Sequence, residues 1–250
     1  MEPPVTDDRA ALRPAMLCLV TPGVRPVAAS QSGSVPSISQ IDEGQRWLLD
    51  LVQAAIDAGI DVVQLREPQL PARQLYELAV EAVRRSRGTA TRIVVNDRVD
   101  VALAARADGV HLGRPSLSPA RVREIAQRPC LVGCSVHSLE ELRNIPPAEV
   151  DYLVAGTVYP TASKPAATTL LGVDGFASLA DATSLPVLAI GGVTLDRIPE
   201  LAAAGAAGVA AIGLFADADR KTLPCIVGEA KRALTRFTQF PKLRRTHDDA

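Results

Sequence analysis

The chain has 250 residues, a formal net charge of −1, 47% hydrophobic and 22% charged residues, and only 3% aromatics. Those values describe a globular protein with an aliphatic, alanine-rich core, and they exclude a general polyanion binder. The one basic cluster, "KLRRTH" near the C-terminus, lacks interleaved aromatics and reads as a solvated tail, so no nucleic-acid partner is expected.

In chain order, short apolar runs read as buried strands: "MLCLV", "DVVQLRE", "RIVVND", "DGVHLG", "LVGCSV", "DYLVAGTV", "PVLAIGG" and "AGVAAIG". Segments of helical spacing lie between them: "GQRWLLDLVQAAIDAG", "ARQLYELAVEAVRRS", "PARVREIAQ", "LEELRNI", "DGFASLADAT", "LDRIPELAAAG" and "LPCIVGEAKRALTRF". Eight strand–helix alternations without a linker predict one (β/α)₈ TIM-barrel domain over residues 15–238, between tails at 1–14 and 239–250. Residues 23–42 interrupt the pattern with Pro, Ser and Gly, and read as a loop insertion that is either a lid or a mobile ornament.

The acidic, proline-rich opening "MEPPVTDDRA" does not resemble a secretory signal, and no apolar run reaches bilayer length, so cytoplasm and no membrane partner are expected. Self-association is left open. Cys18, Cys130, Cys134 and Cys225 show no CxxC or zinc-ligand spacing and are expected to be buried fillers, although Cys134 lies near His137.

Catalysis in such barrels gathers at the C-terminal ends of the strands. Those positions carry Gln64, Arg66 and Glu67; Asn96 and Asp97; His111 and Arg114; Ser135 and His137; Thr157, Tyr159, Thr161, Ser163 and Lys164. The last two strands end in "AIGGV" and "AIGLF", where Gly191, Gly192, Ile212 and Gly213 offer backbone N–H groups to a phosphate or serve tight turns. Ser138 and Glu141 form a capping-box pattern, which puts His137 where an apolar staple against Leu142 is usual. His137 is therefore a candidate proton carrier, or it orders the turn. His111, with apolar flanks, is expected to be a buried, hydrogen-bonded strand residue and a reserve carrier.

Together "VVQLRE", "VVNDRVDVALAARADGVHLG", "GCSVHSLEE", "DYLVAGTVYPTASKP" and "PVLAIGGV…AAGAAGVAAIG" resemble the thiamine-phosphate synthase and thiazole tautomerase superfamily over roughly residues 15–216. In the synthase branch Mg²⁺ holds a pyrimidine diphosphate through two aspartates. Asp97 matches the first, with Asn96 and Lys164 as diphosphate partners. The second falls in "HLGQxD", where this chain reads "HLGRPS", with Arg114 for glutamine and Ser116 for aspartate. The lysine of "QLRxK" is replaced by Pro68. A hydroxyl is a far weaker Mg²⁺ ligand than a carboxylate.

The resemblance therefore implies the tautomerase branch, which needs no metal or cofactor. Its members aromatise a carboxythiazole phosphate by moving a proton, and His137 matches the catalytic histidine. Gln64, Arg66, Ser135, Thr161, Ser163, Lys164, Gly191, Gly192, Ile212 and Gly213 are the expected substrate contacts, with Arg66 on the carboxylate. Asn96 and Asp97 then become a turn and cap ahead of "RVDVALAA". Two alternatives stand: a Mg²⁺-dependent thiamine-phosphate synthase, and a non-catalytic regulatory protein that keeps the thiazole-phosphate pocket.

Overall fold

The computed structural model describes residues 15–23, 38–114, 116–126, 129–161 and 169–238, with backbone alone at 38–42 and 237–238. Both expected tails, and residues 24–37 of the insertion, lie outside the described residues.

Eight parallel strands close into a barrel in sequence order. They are β1 (Met16–Val20), β2 (Val62–Leu65), β3 (Arg92–Asn96), β4 (Gly109–Leu112), β5 (Leu131–Val136), β6 (Tyr152–Gly156), β7 (Val187–Ile190) and β8 (Gly208–Ala211). The helices are α1 (Ile38–Asp57), α2 (Ala72–Ser86), α3 (Val99–Ala104), α4 (Pro119–Ile125), α5 (Leu139–Arg143), α6 (Gly172–Asp181), α7 (Ile198–Ala203), α8 (Gly213–Ala216) and α9 (Leu223–Thr238). This is the (β/α)₈ barrel the alternation predicts.

Strand side chains alternate between two packing environments, as the period of two requires. Leu17, Leu19, Val63 and Leu65 face the surrounding helices, in the larger apolar cluster. Met16, Cys18, Val20, Val62, Val94, Tyr152, Val154, Leu188 and Ala210 fill the barrel itself. The Tyr152 ring occupies the space in front of Gly133, where any Cβ would collide with the ring and with His111. Glycine at 133 is the sequence's answer to a large residue on the neighbouring strand.

The floor of the barrel carries a repeated clasp. Asp61, Asp108 and Asp151 each stand immediately before an even-numbered strand, and each carboxylate accepts the backbone N–H of a residue in the preceding odd strand. The partners are Leu17 (2.9 Å), Ile93 (2.7 Å) and Val132 (2.7 Å). The aspartate N–H returns a bond to the carbonyl of the same residue in all three pairs. A cation completes each clasp: Lys231 on Asp61, Arg92 on Asp108 and Arg123 on Asp151. The fourth equivalent position, before β8, is Ala207, whose N–H bonds the Val187 carbonyl but which has no carboxylate.

Three expectations change. The helix after the insertion begins at Ile38, so residues 38–42 belong to α1 and not to a loop; the polar residues there masked the Ile38 and Ile41 spacing that continues the helix. The "LDRIPELAAAG" segment opens with a 3₁₀ turn at Leu195–Arg197 before α7. Finally, α8 is a four-residue helix that no periodicity could announce. Among the described residues no helix is long and apolar enough to cross a membrane.

Candidate active site

The C-terminal rim of β2, β3 and β4 carries a polar chain. Gln64 Nε2 donates to Asn96 Oδ1 (2.8 Å), and Asn96 Nδ2 donates to Asp97 Oδ2 (2.7 Å). The other Asp97 oxygen accepts from Gly113 N (2.8 Å) and from the Ser116 hydroxyl. An ionised carboxylate only accepts, which fixes the orientation of both amides and leaves Gln64 Oε1 as an acceptor. Asp97 has a positive φ of 59°, a left-handed conformation that Asp tolerates better than most residues. The cap reading of Asn96 and Asp97 does not hold: Arg98 occupies the N-cap of α3, with no side-chain cap bond, and the Asp97 side chain turns to the β4 loop.

The same geometry tests the Mg²⁺ site that the synthase reading requires. Both Asp97 oxygens accept from protein donors, Oδ2 from Asn96 and Oδ1 from Gly113 and Ser116, and the second metal position is Ser116, a hydroxyl directed at Asp97 where the synthase pattern has a carboxylate. Among the described residues no three His, Cys, Asp or Glu side chains gather into a ligand set. These residues do not fit a divalent cation held by two carboxylates.

At the end of β5, Ser138 caps α5 by accepting the Glu141 N–H (3.2 Å). The other half of the box differs from expectation, because Glu141 Oε2 takes the His137 N–H (2.8 Å) and also His137 Nδ1 (3.0 Å). His137 is thus no staple on Leu142. It is held ring-on by a carboxylate. Glu141 Oε1 pairs with Arg114 Nη2 from the β4 loop. Burial opposes ionisation of Glu141, but bonds from the His137 ring and backbone, with the His137 and Arg114 charges, hold its carboxyl below the usual range. Because that carboxylate only accepts, Nδ1 carries the hydrogen in neutral His137, and Nε2 presents its lone pair. Glu141 is the partner of His137 that sequence reading missed; its place as the fifth residue of "HSLEE" was read only as a cap.

His111 lies inside the barrel, 3% exposed, with Nε2 2.9 Å from Ser135 Oγ. Burial pushes its pKa down to about 4, against the opposing charge of Asp97. It is the hydrogen-bonded strand residue expected, and it holds the Ser135 hydroxyl at the rim. Burial raises the Cys18 and Cys134 thiols to about 12, so neither is a thiolate at neutral pH.

The loops after β6 and β7 are bound to each other. Tyr159 N–H bonds the Gly191 carbonyl (3.1 Å), and Arg197 Nη1 bonds the Gly192 carbonyl (2.6 Å). Arg197 also sits 4.5 Å from the centre of the Tyr159 ring, whose hydroxyl donates to Glu200 (2.7 Å). Gly191 and Gly192 have φ of 101° and 61°, open to glycine without strain. With both carbonyls turned to Tyr159 and Arg197, planar peptides turn the Gly192 and Val193 N–H groups the other way. Neither has a protein acceptor among the described residues, so both donors are left for solvent or a ligand. Ile212 packs against the barrel-interior cluster, and Gly213 opens α8 beside it.

Arg66 is exposed and pairs with neither Glu67 nor Asp97 among the described residues; its N–H bonds Thr21 Oγ1 (2.8 Å), whose hydroxyl donates to buried Glu67 (2.5 Å). Thr161 is half-buried after β6. Ser163 and Lys164 lie outside the described residues.

Fold and rim together define a (β/α)₈ barrel with a polar mouth and glycine-built loops at its strand ends. Comparison with known proteins gives the family: the chain belongs to the thiamine monophosphate synthase family, which it matches over residues 37–215. A thiamine-phosphate synthase of Natronomonas pharaonis is 41% identical over 70% of this chain and 82% of its own length. One from Haloquadratum walsbyi is 39% identical over 70% and 79%. The structure is similar to thiamine phosphate pyrophosphorylase from Pyrococcus furiosus, with a TM-score of 0.71 and 27% identity over 90% of this chain and 98% of that one. The chain is thereby placed among the enzymes of thiamine biosynthesis. The relatives carry the name of the transferase, which favours the second of the expected reactions over the isomerase expected first.

Proposed function

We propose that this protein is a metal-independent thiazole tautomerase that acts on the carboxythiazole phosphate of thiamine biosynthesis. The observation that carries the reading is Ser116, which stands where a diphosphate-bound Mg²⁺ would need its second carboxylate and turns its hydroxyl onto Asp97 beside the Gly113 and Asn96 donors. The arrangement of His137 supports the same chemistry. Its Nε2 lone pair takes the proton from the ring carbon, the C–H electron pair enters the ring to complete aromaticity, and the exocyclic carbon gains a proton. Glu141 stabilises the imidazolium formed between the two transfers, as a carboxylate does behind a catalytic histidine. The Gly192 and Val193 N–H groups would hold the phosphate.

A second reading, thiamine-phosphate synthase, is favoured by the names of the relatives. Two parallel assays separate them: the thiazole tautomer without metal, and pyrimidine diphosphate with thiazole phosphate and Mg²⁺, each with wild type and His137→Asn. Metal-independent aromatisation that falls at least 100-fold in the variant is the expected result, on the scale of a lost general base (~10²–10⁴). Thiamine phosphate formed at a rate comparable to a working synthase sinks the proposal.

A further inference from the structure

We infer that Arg114 reads the carboxylate of the substrate, and that Glu141 is the positioning residue that holds this guanidinium and the His137 imidazole in one cluster. The inference rests on the tautomerase reading and deepens it.

Charge is the first argument. Against the "HLGQxD" pattern, arginine for glutamine adds one positive charge and serine for aspartate removes one negative charge, so the β4 loop is shifted by two units toward the cationic. A rim that in the family pattern holds a cation is here less acidic by those two units, with Arg114 its added positive group.

Geometry is the second. The two oxygens of one carboxylate are divided between the two groups: Oε1 takes Arg114 Nη2, and Oε2 takes His137 Nδ1 at 3.0 Å. The guanidinium and the imidazole are therefore held on one carboxylate, in one cluster at the rim. Arg66, the earlier candidate for the carboxylate, has no bond to this cluster among the described residues.

Availability is the third. Glu141 engages one of the five guanidinium donors, and the Arg114 side chain is 67% exposed. A planar edge remains for a bidentate bond to a carboxylate. An ion pair so exposed adds little to stability, so orientation is what it supplies.

The chemistry agrees. Proton loss from a ring carbon that bears a carboxylate builds negative charge on a group that is already anionic. A fixed guanidinium offsets that charge as the C–H bond breaks, while the proton goes to His137 Nε2 and the electron pair to the ring. Arg114 keeps its own protons throughout.

Calorimetric titration with two stable ligands tests this: the aromatic carboxythiazole phosphate, and the same thiazole phosphate without the carboxylate. Wild type is expected to prefer the carboxylated ligand. Arg114→Gln, which restores the family's residue, should weaken that ligand tenfold or more and leave the other unchanged, with Arg114→Lys between. Glu141→Gln keeps a capping oxygen; it should lose the same selectivity and relax the Nδ1–H tautomer of His137, read from imidazole ¹⁵N shifts. Arg114→Gln binding both ligands like wild type, or weakening both equally, overturns the inference and leaves the tautomerase reading standing. Full selectivity in Glu141→Gln also overturns it. Wild type that binds neither thiazole phosphate overturns both.

Discussion

Removing the Asp151 carboxylate should destabilise this barrel from its floor without touching its chemistry. Asp151→Ala strands two groups at once. The Val132 N–H, in a strand residue with no exposure, loses its side-chain acceptor, at roughly 1–3 kcal/mol for an unsatisfied buried donor. Arg123, whose side chain is 17% exposed against 8% for Asp151, loses its counter-charge, which costs about 3–5 kcal/mol where one partner of a buried pair is removed. Arg123 keeps its bonds to the Glu149 and Cys130 carbonyls, so the second cost falls at or below its lower bound. The sum is about 3–5 kcal/mol, or a fall in Tm on the order of 10 °C for a chain of this size. Asp108→Ala and Asp61→Ala should cost less, about 1–3 kcal/mol each. Their carboxylates are 29% and 26% exposed, and the Asp108 pair is stretched to 3.4 Å. Urea and thermal denaturation of the three variants give the order, with turnover measured well below each transition. Asp151→Ala no more damaging than Asp61→Ala would refute the burial argument, and a lost kcat in a folded variant would refute the separation of floor from rim.

Two further outcomes follow from the rim and the barrel interior. Burial holds His111 near 4 against an ordinary value of 6.5. The unfolded chain therefore binds a proton below pH 6.5 that the folded chain refuses until about pH 4, so stability is full above that window and falls as pH drops through it. The loss totals about 3 kcal/mol. His111→Gln should abolish this part of the acid slope in urea midpoints between pH 7 and 4.5, and an unchanged slope would show that another group carries it. Arg197→Met removes the 2.6 Å bond that orients the Gly192 carbonyl. It should weaken thiazole phosphate about tenfold or more, from ~1.5–3 kcal/mol for a charge-assisted bond, and leave the dephosphorylated alcohol unaffected. Equal weakening of both would place Arg197 outside the proposed phosphate site.

The strands were legible because a parallel strand buried on both faces is written as an unbroken apolar run, and "MLCLV" or "RIVVN" admits few other readings. The second helix was legible to the residue, since its apolar stripe from Leu75 to Ala82 is regular. What periodicity reports is which face is buried. It does not report bonds between a side chain and a distant backbone, so the aspartates of "DVV", "DGV" and "DYL" passed as strand flanks although their repetition was in view. Glu141 was legible as a cap and not as the partner of His137, because both roles use the same residue at the same spacing. The Asp97–Ser116 bond joins positions 19 residues apart across a βα unit. The departure from the family pattern announced that something had changed there, and only the fold shows that serine now occupies the aspartate.

The clasps also describe how rigidity is shared out. Three quarters of the barrel, β1–β2, β3–β4 and β5–β6, are riveted at the floor, and the quarter formed by β7 and β8 has Ala207 where the rivet would be. That same quarter supplies the glycine loops on the opposite face. A ligand spanning those loops would tie β7 to β8 from above, doing for the loose quarter what aspartate does for the others.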